Sequence, residues 1–250
     1  MPHSQISGPQ TQLRAAGKSY SACARQVELK LAVPARPTVD ESERLIAFGI
    51  ASDWCRRAAA LRPLTYLGRK MNKSKRSAGV TELIRFNFAW SGMNALFSRK
   101  AIRDLLGNTA ATSELDRFKF FFTHARLPSA SVSAMTATLH GILRIPVTTR
   151  IAGVALAPVT TLESIFFKYT TLEIQQKSAG EKIRAAIASG NMTALDLPVL
   201  IYQMRNWSVH GGLLDSSFKN EARFRAYIDT VLGALSEVHA NISQVLLQNI

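Results

Sequence analysis

The stretch Phe224–Val245, FRAYIDTVLGALSEVHANISQV, decides the fold class. Within it Phe224, Ile228, Val231, Leu235, Val238, Ile242 and Val245 recur in unbroken steps of four and three. An α-helix turns about 100° per residue, so this rhythm keeps all of them on one face. That is the seam of a helix packed along its length in a bundle. The expected fold is therefore all-α.

Working outward, Asp196 is placed to cap a preceding helix, and Pro198 lies in its first turn, where proline is tolerated. Leu200, Met204 and Trp207 form that helix's apolar stripe; Gly211-Gly212 interrupts it, and Asp215-Ser216 offers a new cap. Further upstream, Ile165, Tyr169, Leu172 and Gln176 share a face of a helix expected over Leu162–Ser189, which Gly190-Asn191 ends. From Pro128 to Thr161 small and hydroxylated residues dominate with few charges, which reads as an irregular insertion with one short strand or helix. A short aromatic helix is expected near Ser113–His124. Another covers Glu82–Leu106, with Phe86, Trp90, Met93 and Phe97 buried, Asn94 beside them and Gly107-Asn108 at its end.

Thr38 and Glu41 have the spacing of a capping box, so a helix begins there. Its expected buried stripe is Ile46, Ile50, Trp54, Ala58 and Leu61, and Pro63 closes it. Residues 1–37 mix Gly, Pro, Ser, Gln and Arg and read as a mobile N-terminal arm, with one short strand over Val27–Val33. The expected organisation is that arm followed by one helical domain, residues 38–250, with the insertion at about 128–161.

The chain carries 31 Lys and Arg against 17 Asp and Glu, a net charge of +14. Such an excess favours polyanions, although a solvated basic surface with no partner has the same composition. Between Asp53 and Glu82 stand Arg56, Arg57, Arg62, Arg69, Lys70, Lys73, Lys75 and Arg76 with no acidic residue. That segment is the expected grip on an RNA backbone. Cys23 and Cys55 have no metal-ligand spacing and form no disulfide framework, which fits a reducing compartment. The first residues are polar, and the longest apolar stretch, Ile142–Phe167, is interrupted by Arg144, Pro146, Arg150, Pro158 and Glu163. A soluble, cytoplasmic protein with no membrane segment, metal or cofactor is expected.

The chemically suggestive run is Met204-Arg205-Asn206-Trp207-Ser208-Val209-His210-Gly211. Arginine is a permanent cation whose planar fork matches a phosphate, and histidine exchanges protons near neutral pH. In an unbroken helix Asn206 and His210 stack on one face, with Arg205 about 140° from His210. The same residues also suit a plain helix C-terminus, where the macrodipole favours a histidine. Arg117 and His124 have similar spacing, but they enclose Phe118-Lys119-Phe120-Phe121-Phe122, which reads as core, and are taken as a decoy. His3, His124, His140 and His239 have no evident partners and are expected to be structural or exposed. Tyr202, one turn before Asn206, lines the cleft or packs in the core.

Arg205-Asn206, three residues, then His210-Gly211 ahead of a long C-terminal helix resembles the signature of HEPN domains. Phe86-Asn87-Phe88-Ala89-Trp90 leading into Met93-Asn94-Ala95-Leu96-Phe97 is similar to the aromatic second helix of several bacterial HEPN groups. The resemblance covers residues 40–250 outside the insertion. It implies an up-and-down helical bundle that forms a homodimer, joining two motifs in one groove. It implies a metal-independent endoribonuclease of a toxin–antitoxin pair or of antiviral phage defence, with RNA as substrate and an antitoxin or regulatory protein as possible partner. Other members are non-catalytic binding or dimerisation modules. His210 would be the acid/base, Arg205 the phosphate ligand, and Asn206 would orient the substrate or the imidazole. Gly212 stands where one toxin group has a modified tyrosine, so the resemblance does not extend to that regulation.

Overall fold

A computed structural model describes residues 8–31, 36–62, 76–107, 110–143, 146–147, 150–151, 154–155, 160–161, 185–187, 189–209 and 222–250. The described residues are all-α in class. Their helices include α1 (Pro9–Leu31), α2 (Val39–Ala60), α3 (Arg76–Phe97), α4 (Lys100–Asp104), α5 (Glu114–His124), α6 (Ser129–Leu143), α7 (Leu197–Val209) and α8 (Ala222–Asn249). The chain divides into two compact units. One holds residues up to Arg62, Ile84–Leu127 and Leu232–Ile250; the other holds Pro63–Leu83 and Pro128–Val231.

In the first unit α2 starts as its sequence requires. Thr38 donates its amide to Glu41 Oε2 at 2.8 Å, and Glu41 returns its amide to Thr38 Oγ1 at 3.2 Å. The far end of α2 is closed by a buried cation. Arg85 donates from Nε to the Ala58 carbonyl at 3.0 Å and from Nη2 to that of Leu61 at 2.7 Å. These last carbonyls have no partner within the helix, and the dipole's negative end favours a guanidinium there.

The expected mobile arm is instead a helix over Pro9–Leu31. Pro9 occupies the first helical position, and the amide of Thr11 reaches the Gly8 carbonyl at 2.9 Å. Leu13, Ala16, Tyr20, Cys23 and Val27 are buried, and α1 packs along α2. The strand expected from Val27 is the last turns of α1 as far as Leu31. Burial of that stripe repays the ordering that the composition alone argued against.

The buried face of α2 also differs from expectation. Ile46 is 51% exposed, and Ile50, Trp54 and Leu61 are only partly covered. The buried residues are Ala47, Phe48, Ala51, Ser52, Cys55, Ala58 and Ala59. Small side chains allow α1 to lie close, with Ser52 Oγ donating to the Gly17 carbonyl at 2.8 Å. Apart from Phe48, this face is made of small residues.

Phe86, Trp90, Met93 and Phe97 are buried on α3 as expected, while Asn94 is half-buried. Trp90 packs edge-on to Phe118 of α5, with centroids 4.8 Å apart, and Phe97 meets Phe121 at 6.3 Å. The expected continuous helix to Leu106 breaks at Ser98-Arg99, where Arg103 Nη1 donates to the Phe97 and Ser98 carbonyls at 2.8 and 2.9 Å. Gly107 follows with φ of 99°, a left-handed conformation suited to glycine. In α8 the expected seam residues Val231, Leu235, Val238 and Ile242 are buried, with Val245 partly covered; Phe224 lies outside the residues whose side chains are described.

In the second unit the expected irregular insertion begins with a regular helix, α6. Pro128 precedes it and its carbonyl accepts the first helical bond, from Val132 at 3.1 Å. Val132, Thr136, Leu139, Ile142 and Leu143 are its buried face. The rest of that segment contains two-residue antiparallel pairs, Pro146–Val147 with Thr160–Thr161 and Arg150–Ile151 with Val154–Ala155. Of the helix expected over Leu162–Ser189, residues up to 184 lie outside the described residues. Its end is seen: Gly190 takes φ of 77° and Asn191 donates its amide to the Ala186 carbonyl at 3.0 Å. His140 on α6 donates from Nε2 to the Ile187 carbonyl at 3.0 Å, and α6 packs on α7.

Candidate functional site

α7 carries the Arg205-Asn206 pair. Asp196 stands at its N-cap, its carbonyl accepting from the Leu200 amide at 3.0 Å. The Asp196 carboxylate turns back to accept from the Thr193 amide at 2.7 Å, which fixes the entering turn. Leu197, Val199, Leu200, Ile201, Tyr202, Gln203 and Met204 are all buried, so the first two turns of the helix are enclosed around their circumference. Tyr227 of α8 donates its hydroxyl to the Leu200 carbonyl at 2.9 Å and helps fix the helix.

On this helix Arg205 is partly exposed, as is Ser208. Its Nη1 donates to Asn206 Oδ1 at 2.7 Å, and its guanidinium carbon stands 5.8 Å from the centroid of the Tyr202 ring. Ser208 Oγ donates to the Arg205 carbonyl at 2.8 Å. A charge-assisted bond and a ring face therefore orient one cation. Asn206 is only 3% exposed, so its side chain is turned to Arg205 rather than to solvent. Tyr202 is itself buried, at 7% exposure. His210 lies outside the described residues, as does the side chain of Trp207.

The remaining basic residues are divided. Arg56, Arg57 and Arg62 are exposed at the end of α2 in the first unit. Arg57 donates from Nε to Asp53 Oδ2 at 2.7 Å and lies 5.5 Å from the centroid of Trp54. Arg76 opens α3, while Arg69, Lys70, Lys73 and Lys75 lie outside the described residues. Among the described residues no three His, Cys, Asp or Glu side chains gather as metal ligands, and no helix is long and apolar enough to cross a membrane.

The Arg117–His124 pair is occupied locally. Arg117 Nε donates to the Ala111 carbonyl at 3.3 Å, and His124 Nδ1 to that of Phe120 at 2.8 Å. His239, for which the sequence suggested no partner, is fully buried with several. Its Nε2 donates to the Ala89 carbonyl at 2.8 Å, and its Nδ1 accepts from the Tyr20 hydroxyl at 3.1 Å. Burial holds its pKa down at about 4 and pushes the Cys23 thiol up to about 12, so these groups are inert near neutrality. The described residues missed by sequence reasoning are the α1 cations Arg14, Lys18 and Arg25, all exposed; the three-and-four spacing of Leu13, Ala16, Tyr20, Cys23 and Val27 is the signal that exposes them.

No protein-family model, characterised protein or solved structure matches the chain.

Proposed function

We propose that this protein is a metal-independent endoribonuclease of HEPN type, acting as a homodimer and serving as a toxin or phage-defence effector. The observation that carries the reading is the Arg205 guanidinium, held by Asn206 and Tyr202 on α7, five residues ahead of His210. A preoriented arginine stabilises charge on phosphoryl oxygens without reorganising at the moment of reaction. His210 takes the proton of a ribose 2′-hydroxyl, and the oxygen attacks the adjacent phosphorus. The bond to the 5′-oxygen breaks, and the imidazolium returns its proton to that leaving oxygen. The products are a 2′,3′-cyclic phosphate and a 5′-hydroxyl; DNA lacks the nucleophile and is spared. Arg205 holds the scissile phosphate, and Asn206 positions Arg205.

The test is incubation with labelled RNA in EDTA beside folded His210→Ala and Arg205→Ala proteins. Cleavage by the wild type alone, leaving cyclic phosphate ends, supports the mechanism, and a requirement for added metal overturns it. The second reading is an RNA-binding module without catalysis, favoured by exposed cations that lie in the first unit and not on α7. It predicts salt-sensitive binding with no product.

A further inference from the structure

The first acidic residue of the chain is Glu28; before it α1 carries Arg14, Lys18 and Arg25. All three are exposed. At about 100° per residue they lie about 60–100° around the helix from Gly17, while the core residues Leu13, Ala16, Tyr20, Cys23 and Val27 lie on the other side. They form one row about 16 Å long, enough for several consecutive phosphates.

Gly17 marks the seam with α2. A Cβ built there would stand 3.1 Å from Arg56 Cγ, 3.3 Å from the Ser52 carbonyl oxygen and 3.5 Å from the Arg56 nitrogen. The stem of Arg56 therefore lies against α1 at Gly17, which stands between Arg14 and Lys18 in the sequence, and Arg56 is exposed. The seam is fastened by Ser52, whose Oγ lies 2.7 Å from Ser21 Oγ and 2.8 Å from the Gly17 carbonyl. Among the described residues no ion pair engages Arg14, Lys18, Arg25 or Arg56, whereas Arg57 beside them is paired with Asp53.

We infer that this outer face of the α1–α2 pair, with Arg14, Lys18, Arg25 and Arg56 as its contacts, binds the phosphate backbone of RNA. A straight row of cations on a rigid helix pair fits a linear polyanion, each contact releasing a counterion. The inference rests on the RNA-directed reading above but not on catalysis, because the surface needs neither Arg205 nor His210.

Binding is measured by anisotropy of a fluorescein-labelled single-stranded RNA on the His210→Ala protein, where cleavage does not interfere. In that background Arg14→Gln/Lys18→Gln/Arg25→Gln/Arg56→Gln is compared with Arg36→Gln/Lys100→Gln/Lys119→Gln/Arg126→Gln, which changes net charge equally. Glutamine keeps the Arg56 stem over Gly17, and unchanged circular dichroism and urea midpoints verify both folds. The surface variant should bind about tenfold or more weakly at 0.15 M salt and lose about two to three from the salt slope, with the control within about twofold of its parent. Equal losses in both variants overturn the proposal, as does displacement of RNA by polyglutamate as readily as by unlabelled RNA. If the quadruple variant does not fold, Arg14→Gln/Lys18→Gln is read by the same criteria. Should the wild type cleave RNA while the surface variant binds like the control, this surface is wrong and the ribonuclease stands; RNA binding lost at the surface with no cleavage by the wild type leaves the surface standing and removes the ribonuclease.

Discussion

Tyr20 Oη lies 3.1 Å from His239 Nδ1, joining α1 to the C-terminal helix inside the first unit. The Ala89 carbonyl, an acceptor only, fixes the proton on Nε2 and leaves Nδ1 to receive the tyrosine's hydrogen. Cys55 Sγ stands 3.5 Å from the same Nδ1. Helices α1, α2 and α3 thus converge on one neutral imidazole.

Acid should destabilise the fold through that imidazole. Burial lowers the His239 pKa from 6.5 to about 4, so on acidification the unfolded chain takes the proton first. Stability from this group is complete above pH 6.5 and falls by about 1.4 kcal/mol per unit toward pH 4, about 3 kcal/mol in all. Urea midpoints measured from pH 8 to 4 should show this decline, and His239→Gln should flatten it. An unchanged slope in that variant would refute the assignment.

Removing the hydroxyl alone should also be felt. Tyr20→Phe keeps the ring but leaves Nδ1 with only the weak thiol donor, and a buried acceptor losing its partner costs about 1–2 kcal/mol. Equilibrium urea unfolding checks this; no loss would mean that the thiol satisfies the imidazole by itself.

The α1–α2 seam makes a paired prediction about glycine. Gly17→Leu forces a side chain into space held by Arg56 and the Ser52 backbone, so it should cost about 1–3 kcal/mol and weaken RNA binding by displacing Arg56. Gly49, on the same helix pair, has nothing within 4 Å of a built Cβ. There Gly49→Ala should stabilise by about 0.5–1 kcal/mol through helix propensity. Thermal denaturation of both proteins, with binding of Gly17→Leu, decides the matter.

The large apolar residues of α8 made its rhythm legible, and the Thr38–Glu41 box located the start of α2 to the residue. The same three-and-four rhythm runs through Leu13, Ala16, Tyr20, Cys23 and Val27, but alanine and cysteine at two of its positions, with glycine and serine between them, disguised it. Serine, threonine and alanine at its exposed positions likewise hid α6, and on α2 alanine, serine and cysteine make up most of the buried face and carry little apolar signal. His239 was opaque for another reason: Ala89 and Tyr20 are 150 and 219 residues away in sequence, and no local spacing encodes them. The Arg205-Asn206-His210 pattern is visible as a motif. What sequence spacing could not give is the direction of the Asn206 amide, which depends on its side-chain conformation within the fold.

That direction leads to a test of Asn206 as a positioning residue. Its oxygen accepts from Arg205 at 2.7 Å while the residue itself is 3% exposed, so it acts on substrate through the guanidinium. Asn206→Asp replaces a neutral acceptor with a carboxylate that neutralises Arg205 in place. RNA cleavage should then fall by about tenfold or more with a raised KM, and the salt slope of RNA binding should drop by about one, as expected for one lost phosphate contact. Arg205→Gln should give the same slope, and combining the two changes should add nothing further to it, since both remove the same contact. A purely structural role for Asn206 would shift the urea midpoint while leaving the salt slope at the wild-type value, and that outcome would reject the assignment.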